Sequence, residues 1–416
     1  MRILDRLIDT RPLRSSRPFR RLWIGTTASS FGGQMTMVAV LFQVWEITGS
    51  PLLVGAIGVA QAVPLIVLGS LGGSLADAVD RRRLVLFTTV GSIAAAVLLA
   101  TQAVLGLNSL PLVLGLVASS AALAAMGSPA RRTFVPRLLP ADQVSAGIAV
   151  MHLGFQASML IGPAVAGLMI AGWGLPACYL VDAVTFAVAL YGVARLPAMP
   201  PLGVVQRAGL RAIADGWRYV VRRPVLRGSF LSDLAATTLA MPVALFPMIN
   251  EERFGGGPQT LGLFLSAIAV GGVLAGLLSG TITHAARVGL IQLVAAGVWG
   301  AALIGFGLAG SWAPALLFLA IAGAADTVAV ISRGATVQLA TTDAYRGRVS
   351  SVEQIVGVAG PEIGNLRAGV VAGLTSAGFS AVSGGLLCVV GIVALAATHP
   401  TLRRFTVRTD EPVHQP

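Results

Sequence analysis

Between clusters of arginine, proline and glycine the chain stays apolar for twenty or more residues at a time, without the alternation of polar and apolar positions that marks barrel strands. About 20 apolar residues cross the hydrocarbon core as a helix. Only helices or closed barrels satisfy every backbone donor and acceptor in lipid, so these runs predict helices. Twelve are predicted, at roughly 22–45, 51–77, 84–105, 111–130, 143–170, 174–195, 228–250, 259–282, 288–309, 312–335, 349–373 and 378–398. The connection at 197–227 has a different period. It begins proline-rich, then sets Leu210, Ile213, Ala214, Trp217, Val220 and Val221 at helical spacing among arginines, which predicts an amphipathic linker helix on the inner membrane surface. Residues 2–9 are a shorter version of the same pattern.

Composition agrees. Of 416 residues 55% are hydrophobic and 50 more are glycine, while only 11% are charged, which rules out a soluble protein. All 29 basic residues are arginine. Without lysine the chain has neither a Walker A phosphate loop nor a Schiff-base site, so an ATP-driven pump and a retinal or pyridoxal protein are excluded. Cys178 and Cys388 lie far apart in apolar runs and read as packing residues; no metal or cofactor is expected.

The net charge of +12 would suggest nucleic acid in a soluble chain, but its placement gives another reading. Seven arginines precede the first span, and Arg81, Arg82, Arg83, Arg131, Arg132, Arg137, seven around the central connection, Arg287, Arg346, Arg348 and three in the tail all fall on one side. By the positive-inside rule that side is cytoplasmic, and it holds both termini. The arginines suit anionic lipid headgroups rather than nucleic acid. Their exclusive use hints at a GC-rich bacterial genome and so at a bacterial inner membrane.

A shift of 207 residues brings Pro51, Gly55, Gly69 and Gly73 onto Pro258, Gly262, Gly276 and Gly280, with Asp77 meeting His284. Gly162-Pro163 is echoed by Gly360-Pro361. The organisation expected is an N-terminal segment 1–21, a six-helix half 22–196, the linker 197–227, a second six-helix half 228–398 and a cytoplasmic tail 399–416. A parallel duplication of this kind is the two-half architecture of the major facilitator class. The stretch Gly73-Ser74-Leu75-Ala76-Asp77-Ala78-Val79-Asp80-Arg81-Arg82-Arg83 resembles that superfamily's signature loop, with Asp80 where the family usually has its second glycine. The resemblance implies a cytoplasmic latch of Gly73, Asp77, Arg81 and Arg82, weaker or pH-sensitive in the second half, where His284 replaces the acid. Gly154 and Gly162-Pro163-Ala164-Val165-Ala166-Gly167 resemble the exporter-associated motif, which implies a bendable seam helix and outward transport. Ser279 to Arg287, Ser128 to Arg132 and the stretch from Arg333 to Val349 are similar to the branch of enterobactin-type siderophore exporters and drug-efflux proteins.

Ionisable residues inside a membrane are costly and mark function. Asp326 falls mid-span with Arg333 two turns on, the same face. It is the first candidate for proton or substrate binding, against the competing reading of a neutralised Asp-Arg pair. Glu362 and Arg367 sit about 140 degrees apart on one helix; coupling competes with packing for Glu362. His152 is a candidate titrating group against a packing role. Gln34 and Gln43 are candidates to hydrogen-bond cargo, with helix-helix bonding as the alternative. Asp182 and Asp233, nearer span ends, read as structural. Neither H-E-x-x-H nor a serine-protease motif occurs, so an intramembrane enzyme is disfavoured. The expectation is an all-α integral membrane protein, working as a monomer, that exports a small molecule by proton antiport; a siderophore is expected first and a multidrug or macrolide-type efflux substrate second.

Overall fold

A computed structural model describes residues 9–200, 210–278 and 287–406, with the side chains of 69–77 and 210–213 excepted. The pattern at 2–8, His284, the tail beyond 406 and the surroundings of Gly73 and Asp77 therefore lie outside the described residues.

Every long element among the described residues is helical: α1 (Arg17–Thr48), α2 (Pro51–Ala78), α3 (Arg81–Val104), α4 (Leu110–Arg132), α5 (Val144–Trp173), α6 (Leu175–Ala194), α7 (Leu210–Arg222), α8 (Pro224–Ala240), α9 (Phe246–Phe254), α10 (Pro258–Leu277), α11 (Val288–Leu308), α12 (Trp312–Ala340), α13 (Arg346–Leu374) and α14 (Ala377–Thr398). Proline at the first or second helical position starts α1, α4, α6 and α8, where its missing N–H has no intrahelical partner to lose. Ser16 and Ser376 cap α1 and α14 through their side chains.

Among the described residues ten stretches are long and apolar enough to cross a membrane, with α8 and α9 counted as one run from Pro224 to Phe254. The two remaining long helices, α1 and α13, have 32 and 29 residues but carry more polar side chains, Gln34 and Gln43 in one, Glu353, Glu362 and Arg367 in the other. One predicted span is broken. Residues 228–250 were expected as a single helix, but α8 stops at Ala240 and α9 starts at Phe246, because Pro242 has no N–H to continue the ladder.

The chain forms two compact units, Met1–Arg207 with Phe246–Ser266, and Ala208–Leu245 with Ala267–Pro416. In the first, α1 packs along α5 and α6, α3 along α6, and α2 along α4. Gln43, buried on α1, exchanges hydrogen bonds of 3.0 Å with Gln102 of α3 and accepts one of 2.7 Å from the Tyr179 hydroxyl of α6. Of the two readings of this glutamine, the structure takes the helix-helix one. In the second unit α11 packs on α12 and α14, and α8 on α13 and α14. Amphipathic α7 turns Val220 into a cluster with Leu226, Val349, Val352 and Val356, and its Tyr219 ring stacks on Tyr345 with centroids 4.3 Å apart. Trp217 and Val220 thus pack toward α13, where a helix on the membrane surface was expected; Ala214 and Val221 are exposed, and the side chains of Leu210 and Ile213 lie outside the described residues.

Candidate functional site

Asp326 and Arg333 share one face of α12, with Ala329 between them, as the 3.6-residue period requires. Together with Ser232, Asp233, Thr237, Gln292 and Trp299 from α8 and α11 they line a crevice inside the second unit. Its volume of about 20 Å³ admits a water and nothing larger. Arg333 does not pair with Asp326. Its guanidinium forms an ion pair with Asp233, both side chains nearly buried, and lies 3.6 Å from Glu353 of α13. The neutralised pair weighed for Asp326 therefore exists with a different acid, and Asp233 joins the site instead of serving only a helix end. Asp326 lines the crevice and is itself exposed. Three carboxyl groups, Asp233, Asp326 and Glu353, gather about one guanidinium.

The rest of the crevice wall is fixed by hydrogen bonds. Gln292 accepts from Ser229 Oγ at 2.9 Å and donates to Ser229 O at 2.9 Å and Ser232 Oγ at 2.7 Å, so its amide is fully engaged. The Trp299 indole N–H, buried in the same wall, has no acceptor among the described residues. Spacing alone gave no signal for Trp299, Asp233 or Glu353, since they come from three other helices.

Arg367 is placed elsewhere. It donates to Leu239 O and, at 3.4 Å, to Ser380 O. The break of α8 before Pro242 leaves the last carbonyls of that helix without N–H partners, and the Arg367 guanidinium supplies the donors. Glu362 accepts from Asn365 Nδ2 at 3.3 Å, and Asn365 Oδ1 accepts from Ala244 N at 3.2 Å just past the same break. The two therefore serve the α8 break and do not line the Asp326 crevice. His152 is exposed on α5, not packed in a core, and Gln34 is half-buried against Gly162.

The glycine-proline motifs act as close-approach surfaces. Gly162 lies against Phe31 O and Gln34 of α1, and a Cβ on Gly167 or Gly262 would fall against the carbonyls of Pro258 or Pro163, so α5 and the start of α10 meet backbone to backbone. Gly360, beside Pro361, faces the Thr237 side chain, and Gly364 faces Thr237 O of α8.

At the loop between α2 and α3, Asp80 has a role that its departure from the family pattern did not suggest. One oxygen caps α3 by accepting from Arg83 N at 3.1 Å; the other accepts from Met199 N at 3.0 Å, while Arg81 N donates to Met199 O at 3.0 Å. Arg82 Nη2 donates to Ala194 O at 2.6 Å and Arg137 Nη1 to Pro200 O at 3.0 Å. The start of the central connection is thereby bound to this loop.

Comparison with known proteins gives a consistent picture. A family model described as transmembrane secretion effector, of the major facilitator type, matches residues 9–416. The chain is 26% identical over 400 residues to the enterobactin exporter of Shigella boydii serotype 4, covering 96% of each, and equally so to that of Escherichia coli O157:H7. Among solved structures, a POT family transporter in complex with 5-aminolevulinic acid has a TM-score of 0.76 at 13% identity, covering 93% of this chain and 97% of that one. The nucleoside transporter NupG has a TM-score of 0.74 at 13% identity, covering 94% and 100%. The structural likenesses establish the fold, and the family match establishes a multi-pass membrane transporter. From helices, duplicated motifs and family match together, the chain belongs to the transmembrane secretion effectors of the major facilitator superfamily.

Proposed function

We propose that the protein is a proton-driven exporter of a small organic molecule, in which Asp326 carries the coupling proton. The observation behind this reading is the crevice: Asp326 is open to it, mid-span on α12, beside a guanidinium already paired with Asp233. A carboxyl without a cation of its own can load and release a proton without dismantling the helix contacts around it. Both termini are taken as cytoplasmic, with the halves 22–196 and 228–398 alternating access, Gly73, Asp77, Arg81, Arg82 and His284 latching the inner side and Gly162, Pro163, Gly167, Gly360 and Pro361 giving the seam. The protein is taken to work as a monomer on cargo and protons, without nucleic acid.

Likeness to enterobactin exporters supports a siderophore as the cargo. A specific observation favours the second reading, efflux of lipophilic drugs. Arg333 and Arg367, the arginines within the spans whose forked donors would suit the oxygens of an anionic cargo, are engaged by Asp233 and by backbone carbonyls. Everted vesicles given a pH step and either enterobactin or tetraphenylphosphonium test both points. One charge moving through about 150 mV supplies roughly 3.5 kcal/mol, enough for two to three decades of accumulation. Wild-type protein should accumulate its cargo against the gradient; Asp326→Asn should lose this and keep downhill exchange. Unchanged accumulation and pH dependence in Asp326→Asn would pass the coupling role to Glu362.

A further inference from the structure

We propose that a cavity at the C-terminal end of α1, separate from the Asp326 crevice, binds a small organic cation. The cavity, about 260 Å³, lies wholly within the first unit and is walled by Phe42, Trp45, Glu46, Asn250 and Glu251, with Gly255 and Gly256 closing one side. Those two glycines have positive φ, 84° and 73°, and turn the chain back after α9 so that Gly256 N donates to Asn250 O at 3.1 Å.

The lining is rich in acceptors. It holds two carboxylates and no basic side chain. Asn250 is 2% exposed, and its amide orientation is set because Nδ2 donates to Gly257 O at 2.8 Å. Its Oδ1 is consequently held as an acceptor, and no described residue donates to it. The Trp45 indole N–H donates to Glu251, fixing the ring against the carboxylates. A ligand that supplies positive charge balances the two carboxylates, and the solvent-shielded Asn250 Oδ1 adds partial negative charge to the same lining. Two features select an organic cation over a bare metal ion. Calcium takes six to eight oxygen ligands, and the side chains here offer two carboxylates and one amide oxygen. The indole and phenyl walls instead suit an alkylammonium, which an aromatic face attracts through its quadrupole. The cavity is also far larger than the Asp326 crevice, and it has the size for a small amine.

The test uses the full-length protein in detergent, titrated with radiolabelled tetramethylammonium by equilibrium dialysis and, in parallel, by tryptophan fluorescence. Saturable binding is expected, weakened at least tenfold by Glu46→Gln, which leaves the Trp45–Glu251 bond in place. Trp45→Phe should remove the fluorescence change. Asp326→Asn should bind as wild type does, which keeps this site distinct from coupling. Absence of saturable binding, wild-type affinity in Glu46→Gln, or calcium displacing the amine at lower concentration would overturn the proposal.

Discussion

Breaking the Asp233–Arg333 pair should show how much of the crevice is scaffold. Asp233→Asn removes one partner from an ion pair whose side chains are 13% and 12% exposed. Leaving a buried charge unpaired costs about 3–5 kcal/mol. Glu353 remains at 3.6 Å but is 31% exposed and makes a longer contact, so it recovers only part of the loss. The lower end, about 3 kcal/mol or a hundredfold in the unfolding equilibrium, is therefore expected. Replacing both partners, Asp233→Leu with Arg333→Met, removes the stranded charge and should return close to wild-type stability. In the double-mutant cycle of Asp233→Leu and Arg333→Met, with each single substitution costing about 3 kcal/mol and the double near neutral, the coupling energy is about 6 kcal/mol, where non-interacting residues would add to within about 0.5 kcal/mol. Equilibrium unfolding in mixed micelles, followed by tryptophan fluorescence, measures all four corners. Asp326→Asn serves as the control and should be near neutral, since no described group is ion-paired to it. A single-substitution loss below about 1 kcal/mol, or simple additivity, would refute the assignment of Arg333 to Asp233.

Three further outcomes follow from contacts described above. Tyr179→Phe removes a donor from Gln43 in a buried three-residue network and should lower stability by about 1–3 kcal/mol, with transport by the folded fraction unchanged; a transport defect at normal stability would return Gln43 to the list of cargo contacts. Gly262→Val places a branched side chain against Pro163 O and should abolish transport or folding, whereas Gly276→Ala, with open space at its Cβ, should behave as wild type in the same vesicle assay. Asp80→Gly restores the usual family residue yet removes the α3 cap, about 1 kcal/mol, and the bond to Met199, so limited trypsin digestion should cut the central connection faster; unchanged digestion would mean the clamp holds without Asp80.

How much of this was legible in the sequence depended on whether local spacing carried the information. Helix positions followed from apolar runs and arginine clusters, and Asp326 stood out because a carboxylate in mid-span has no local excuse. The partner of Arg333 did not, because Asp233 is a hundred residues away on a helix whose end was misplaced. The same misplacement hid the role of Arg367: only when α8 stops before Pro242 do its last carbonyls need an outside donor. Asp80 read as a blemish in a motif because its second partner, Met199, is brought to it by tertiary folding.

The segment Phe246–Ser266 carries a consequence for how the gene can be divided. It is encoded in the second half of the chain yet packs into the first compact unit, with Gly262 against Pro163 and Trp45 bonded to Glu251. The chain thus passes from one unit to the other at Leu245, and returns in the middle of α10, after Ser266. A cut in the central connection would not yield two self-sufficient fragments. The N-terminal piece would lack the hairpin that completes its own fold, and the C-terminal piece would carry that hairpin without its bed. Co-expressed, the two pieces would be mutually dependent, each finishing a surface the other leaves open.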